Sequence, residues 1–256
     1  MKKPASYMIC TSPRSGSTLL CNMLKNSGIA GDPRSLFFRP SLEDWLTRLG
    51  LPQGAVNEQE GLNVVMQRAL QAGRGETSVF GLRQQFPSFD FLCRKLAVLY
   101  PQTTADRDRI EHAFGPMLFV HLSRRNKLEQ AVSYLKAQQT GLWHVAVDRA
   151  EWERTAPAEE PVFDAGKLKG CIATLESYDR GWDTWFRREG IRPVRIYYED
   201  LSKAPVATLS LILRELGLDP RVVEGIAPDI RKMADATSRD WVEMFLSEQS
   251  RASSGY

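Results

Sequence analysis

The run Thr11-Ser12-Pro13-Arg14-Ser15-Gly16-Ser17-Thr18-Leu19-Leu20 narrows the possible folds of this chain more than any other. It follows an apolar run, Tyr7–Cys10. It leads into a segment where Leu19, Leu20, Met23 and Leu24 share one side of a helix, expected from Ser17 to about Asn26 with Gly28 beyond its end. A buried strand, a tight loop and a helix in that order offer an anion clustered backbone N–H groups and the positive end of a helix dipole. Ser15, Ser17 and Thr18 add hydroxyl donors, Gly16 lets the chain pass close to an oxyanion, and Arg14 supplies fixed charge. A plain capped turn would explain the hydroxyls. The density of small donors beside an arginine favours an anion-binding loop.

Three further runs, Met117–Leu122, Val194–Tyr198 and the weaker Val79–Arg83, also lack polar alternation, as strands buried on both faces do. Between them lie helix-period segments. Asn126 with Glu129 three residues later matches a capping box ahead of Leu128, Ala131, Val132 and Leu135. Leu168, Cys171, Ile172, Leu175, Tyr178, Trp182, Trp185 and Phe186 form a long apolar stripe ending at Gly190, read as core and not as a cofactor box. Pro205–Leu216 is a further helix closed by Gly217. The expected fold class is α/β, a central parallel sheet flanked by helices, in one domain over residues 1–256. Gln102–Pro116 and Thr140–Gly166 fit neither period and are expected to be irregular binding loops or lids.

Charge and cysteine usage exclude other classes. The 34 basic residues against 31 acidic ones leave a net charge of +3, too little for a polyanion, so no nucleic-acid partner is expected and charge must act locally. Cys10, Cys21, Cys93 and Cys171 show no C-x-x-C spacing, so neither a metal site nor a disulfide framework is expected. Met1-Lys2-Lys3 precedes only a short apolar run; a secretory signal needs about 7–15 apolar residues and a membrane span about 20. A cytoplasmic chain without a span is the expectation. The lysine of G-x-x-x-x-G-K-[ST] is absent, and no strand ends in an obvious magnesium-binding Asp, so metal-assisted phosphoryl transfer fits poorly. A sulfuryl group carries less negative charge, and basic side chains with backbone amides can stabilise its transfer without Mg²⁺.

The loop resembles the 5′-phosphosulfate loop of sulfotransferases that use 3′-phosphoadenosine 5′-phosphosulfate (PAPS), enzymes of P-loop NTPase-like fold. In that resemblance Arg14 and Ser15, Gly16, Ser17 and Thr18 surround the phosphosulfate. A second block, Arg124-Arg125-Asn126 through Ser133, is similar to the superfamily's strand-end arginine and helix serine eight positions on. It implies that Arg125 and Ser133 hold the nucleotide's 3′-phosphate. Tyr197-Tyr198-Glu199-Asp200-Leu201 resembles a third segment, implying Tyr198 near the adenine, and Ser238-Arg239-Asp240-Trp241 is faintly similar to a fourth.

With Ala30-Gly31-Asp32-Pro33, Gln130-Ala131-Val132-Ser133 and Gln139-Thr140-Gly141-Leu142-Trp143, the first loop resembles the Stf0 type, from about Tyr7 to Trp241. This bacterial family is named for trehalose 2-sulfotransferase and includes sequences labelled rhizobial lipopolysaccharide or Nod-factor sulfotransferases. The resemblance implies PAPS as cosubstrate, adenosine 3′,5′-bisphosphate as product, no metal, a sugar or glycolipid acceptor (a trehalose-like sugar among them) and a homodimer. One position departs. Where the family reads G-E-P-x-E, this chain reads Gly31-Asp32-Pro33-Arg34-Ser35, and a serine cannot replace a carboxylate base at neutral pH. Candidates for the base are Asp32, by position, and His144, by chemistry, the latter beside Trp143, a ring on which a sugar could stack. Arg83 stands where the family often has a lysine and is a further candidate for stabilising transferred charge. His121 lies inside a strand and is read as structural. Two other functions fit less well: a P-loop nucleotide or sugar kinase, and a nucleotide-binding relative without activity.

Overall fold

The two central apolar runs become strands covered on both faces, while the edge run at Val194–Tyr197 buries Ile196 and leaves Arg195 exposed. In the computed structural model, which describes residues 5–52, 57–145, 151–154, 160–226 and 236–253, β1 (Ser6–Thr11) is buried at every residue. It continues through the loop into α1 (Ser17–Asn26). Next come α2 (Leu42–Arg48), α3 (Glu58–Arg74), β2 (Phe80–Gln85), α4 (Phe86–Leu99), α5 (Asp106–Phe114) and β3 (Met117–Ser123). The chain proceeds to α6 (Lys127–Thr140), a hairpin of β4 (Leu142–Val145) and β5 (Glu151–Arg154), and α7 (Ala165–Arg188). It ends in β6 (Val194–Tyr197), α8 (Tyr198–Lys203), α9 (Pro205–Glu215), a short 3₁₀ turn (Pro220–Val223) and α10 (Ala236–Ser253).

Strands β2, β1, β3 and β6 form a central parallel sheet in that order. Alternate side chains of β1 enter opposite cores, as the two-residue period of a strand requires. Met8 and Cys10 join Trp45, Phe80, Trp182, Trp185 and Phe186 on one face. Tyr7 and Ile9 join Leu20, Leu24, Val120, Leu122, Ile212 and Leu213 on the other. Each such side chain, removed from water, contributes about 1.5–3 kcal/mol before entropy is counted. The stripe on α7 is core, as its period suggests, with Trp182 fully buried.

Register brings the strand ends level: Thr11 pairs with Gln85 on one side and Leu122 on the other, and Ser123 pairs with Tyr197. The connections leave β1 and β3 toward opposite edges, so the crevice between their carboxyl ends is a topological switch point, where open α/β sheets bind ligands.

Three local expectations change. The run Val194–Tyr198 stops being strand at Tyr197, and Tyr198 opens α8 instead. Gln102–Pro116 is not wholly irregular, since Asp106–Phe114 is helical; Ile110, Ala113 and Phe114 supply only a narrow buried face, and its start is capped from a distance, by the Glu189 carboxylate accepting from Arg107 N at 3.1 Å. Thr140–Gly166 holds the antiparallel β4–β5 pair, whose register shifts at His144.

Candidate functional site

Gly16 ends the loop as the N-cap of α1, with φ 84° and ψ 12°, and no side chain caps that helix. The first turn of α1 carries no acidic residue of its own, which suits an anion site at its N–H groups. Arg14 also holds a left-handed backbone, φ 61°. That conformation costs about 1–2 kcal/mol in a residue with a Cβ, and the partners of its side chain offset it. Its Nε donates to Ser133 Oγ at 2.9 Å, and its Nη1 donates to the Trp143 carbonyl. Residues 119 and 129 positions away in sequence thus meet at one guanidinium.

The loop is held from behind. Thr11 Oγ1 donates to the Leu122 carbonyl at 2.8 Å and lies 2.5 Å from Ser15 Oγ, which is fully buried. Gln130 Nε2 of α6 donates to Ser12 Oγ and the Pro13 carbonyl, 3.1 and 2.7 Å. From α7, Trp182 Nε1 donates to the Thr11 carbonyl at 2.9 Å, and Asp179 accepts from Ser12 Oγ at 3.3 Å and from Lys127 Nζ at 2.5 Å. Asp179 and Trp182 escape a motif reading because their work is done across the fold. Gln130 and Lys127 stand in the second motif block, but the sequence gives neither this task.

Tyr198 lies against Gly16, so close that a Cβ there would stand 2.3 Å from its Cδ2. Burial pushes the Tyr198 phenol up, and Arg124 and Arg14 each pull it back, so both guanidinium groups act on this ring. Arg124 stacks 4.6 Å over it and is 8% exposed. Its Nη2 donates to Glu129 at 2.5 Å, while Nε has no hydrogen-bond partner among the described residues.

Arg125, the arginine singled out by the motif spacing, points elsewhere. It makes a two-pronged pair with Asp200, 2.9 and 2.7 Å, stacks 3.9 Å over Tyr197 and stays half exposed. The structure therefore brings Ser133 to Arg14 but leaves Arg125 on Asp200. Asn126 caps α6 through Glu129 N, as expected. The returning half of that capping box is supplied by Glu199, whose carboxylate accepts from Arg125 N and Asn126 N at 3.1 Å each.

Asp32 lies in a turn where its N–H donates to the Gly73 carbonyl at 2.9 Å. Its carboxylate pairs with Arg34 and, at 3.3 Å, with Lys25. Burial pushes the Asp32 carboxyl up, but Arg34 and Lys25 outweigh it and hold it below its ordinary value. A carboxylate so stabilised is a weak proton acceptor. His144 lies on β4 opposite Glu153, and its side chain is outside what the structure describes. Arg83 on β2 donates to Thr18 Oγ1 at 2.8 Å and to Ser35 Oγ at 2.7 Å. His121 is buried in β3, accepting from Arg195 at 3.0 Å, in keeping with a structural role. Trp241 packs with Phe245 against α6 and α7, so the Ser238–Trp241 segment is tied into core, with Arg239 exposed. Among the described residues no three acidic, histidine or cysteine side chains converge as a metal set, and no helix is long and apolar enough to cross a membrane.

Comparison with known proteins follows the same geometry. The family model described as Stf0 sulphotransferase matches residues 6–248. Trehalose 2-sulfotransferase of Mycobacterium tuberculosis is 29% identical over 264 aligned positions, covering 96% of each chain. The protein of the same name from Mycolicibacterium smegmatis is 28% identical over 269, covering 97% of each. Among solved structures, the sulfotransferase domain of the Synechococcus PCC 7002 olefin synthase superposes with a TM-score of 0.43 at 17% identity, covering 96% of both chains. A sulfotransferase from Alicyclobacillus acidocaldarius gives 0.42 at 17% identity, covering 98% of this chain and 94% of that one.

Proposed function

The chain belongs to the Stf0 sulphotransferase family, and from that premise we propose that it moves the sulfuryl group of PAPS to a hydroxyl of a sugar or glycolipid. The observation that carries the choice of donor is the Arg14–Ser133 hydrogen bond, 2.9 Å, which joins the loop and the α6 motif in one basic cradle. A nucleotide with anionic groups at both its 5′ and 3′ positions suits a cradle built from two such motifs.

Arg14, the amides of Ser15 to Thr18 and the start of α1 surround the phosphosulfate. Ser133 meets the 3′-phosphate, and Tyr198 stands against Gly16 where the nucleotide passes. Arg125 joins the 3′-phosphate by exchanging Asp200 for it. In the transfer, an acceptor oxygen forms a bond to sulfur as the bond from sulfur to the 5′-phosphate oxygen breaks. Adenosine 3′,5′-bisphosphate leaves, and the acceptor proton passes to a base. Fixed charge at the leaving oxygens and alignment of the acceptor contribute most of the acceleration, with no metal assigned a part.

Between the two base candidates, the ion pairs of Asp32 favour giving it the task of orienting the acceptor turn, which leaves proton removal to His144. The trehalose enzymes among the relatives support a sugar acceptor. We assign the reaction to the cytoplasm, with its nucleotide donor.

Thermal unfolding with adenosine 3′,5′-bisphosphate, compared with ATP and Mg²⁺, tests the donor site. Stabilisation by the bisphosphate alone is expected; stabilisation by Mg–ATP alone would replace this reading with a kinase. Labelled PAPS with a panel of sugars and mass spectrometry then tests transfer.

A further inference from the structure

Arg83 is a half-buried cation that no carboxylate among the described residues balances. The bridge between Arg34 and Leu82, with Arg83 N donating to the Arg34 carbonyl at 3.0 Å, lays the Asp32–Ser35 turn along the edge of β2. The guanidinium then spans two neutral hydroxyls, Ser35 Oγ at 2.7 Å and Thr18 Oγ1 at 2.8 Å. No described carboxylate lies within ion-pair reach of it, whereas its neighbour Arg34 and Lys25 share Asp32. Among the described residues, three cations against one carboxylate leave this edge of the site with an excess of two positive charges.

A guanidinium carries five donors, and two are used here, both by groups that hold the fork in place without neutralising it. A partly desolvated charge fixed in this way is prepared for an oxyanion. The donor nucleotide's anionic groups already have Arg14, the loop amides and Ser133. Arg83 stands between that loop and the turn on the acceptor side.

We propose that the preferred acceptor carries an oxyanion of its own, a carboxylate or phosphate on the sugar, and that Arg83 binds it. The inference rests on the sulfotransferase reading and deepens it by naming the class of sugar. Three acceptors separate the possibilities: trehalose, trehalose 6-phosphate and a disaccharide ending in glucuronic acid. At least one charged sugar should exceed trehalose in kcat/KM by at least about tenfold, the scale of a hydrogen-bonded charge pair. The better of the two says whether phosphate or carboxylate is meant.

Arg83→Gln should erase that preference by raising KM for the charged sugar while sparing KM for PAPS. Ser35→Glu, which places a carboxylate beside Arg83, should erase it in the same way with the arginine intact. Equal or better use of trehalose by the wild type overturns the proposal. So does a fall in kcat shared by all three sugars in Arg83→Gln, which would assign Arg83 to the transferred group. Stabilisation by adenosine 3′,5′-bisphosphate is measured in each variant; its absence from the wild type sinks the donor reading instead.

Discussion

Gly16→Ala strikes the loop at its tightest point. The residue holds φ 84°, a conformation that costs an L-amino acid about 1–2 kcal/mol. The new methyl would stand 2.3 Å from Tyr198 Cδ2 and 2.9 Å from Cε2. No real contact is that short, so the ring or the loop must move. Tyr198 is half-buried beneath the stacked Arg124, and shifting it belongs to the class of overpacking changes, about 1–3 kcal/mol. Together the two costs give about 2–5 kcal/mol, with loss of adenosine 3′,5′-bisphosphate binding because the loop is displaced. Urea unfolding of Gly16→Ala, Tyr198→Ala and the double variant separates them. Removing the ring should relieve the steric part and leave the backbone part, a coupling of about 1–3 kcal/mol. A Gly16→Ala protein within about 0.5 kcal/mol of wild type, or a double variant that is additive within that margin, would refute the reasoning.

Three more outcomes follow from the same geometry. Arg14→Gly relieves the left-handed backbone while deleting the charge, so thermal stability should hold or rise as sulfuryl transfer falls by about 10²–10³-fold; retained transfer rules out Arg14 as the anion ligand. Asp200→Asn releases Arg125, and if that arginine meets the 3′-phosphate, calorimetry should show adenosine 3′,5′-bisphosphate bound up to about fivefold more tightly; unchanged affinity removes Arg125 from the site. Burial holds the His121 imidazole below its ordinary pKa, against the opposing pull of Asp179 and Asp183. The unfolded chain therefore binds the extra proton first, and stability should fall as pH drops through about 6.5 toward the lower folded value. Melting temperature from pH 7.5 to 5.5 should flatten in His121→Asn, and an equal slope in that variant excludes His121 as the cause.

Local chemistry made much of this legible. The four parallel strands stand where the apolar runs place them, and α1 and α6 begin where Ser17 and Asn126 say they should. What stayed hidden depends on partners far away in sequence. α5 has no local capping residue and a narrow apolar face; its first turn is met from the end of α7, where Glu189 accepts from Arg107 N at 3.1 Å and Arg188 pairs with Asp106 at 2.5 Å. Arg124 and Arg125 are adjacent and alike in sequence, yet one is buried over Tyr198 and the other exposed on Asp200, a difference set by where α8 docks. Asp32 is different: its cations Arg34 and Lys25 are near in sequence, and what the fold adds is the turn geometry that brings both onto one carboxylate.

The support behind the anion loop has a consequence for how the protein matures. Thr11, Ser12 and Pro13 are held by Leu122, Gln130, Asp179 and Trp182, contacts that span 111 to 171 residues. Contacts of such separation close late, since their loop entropy must be overcome before they contribute. The loop precedes α6 and α7 along the chain and is completed among the last events, once those helices have docked. Under the proposed function, donor binding becomes a gauge of the finished molecule, and a nucleotide that selects only that state draws the folding equilibrium toward it.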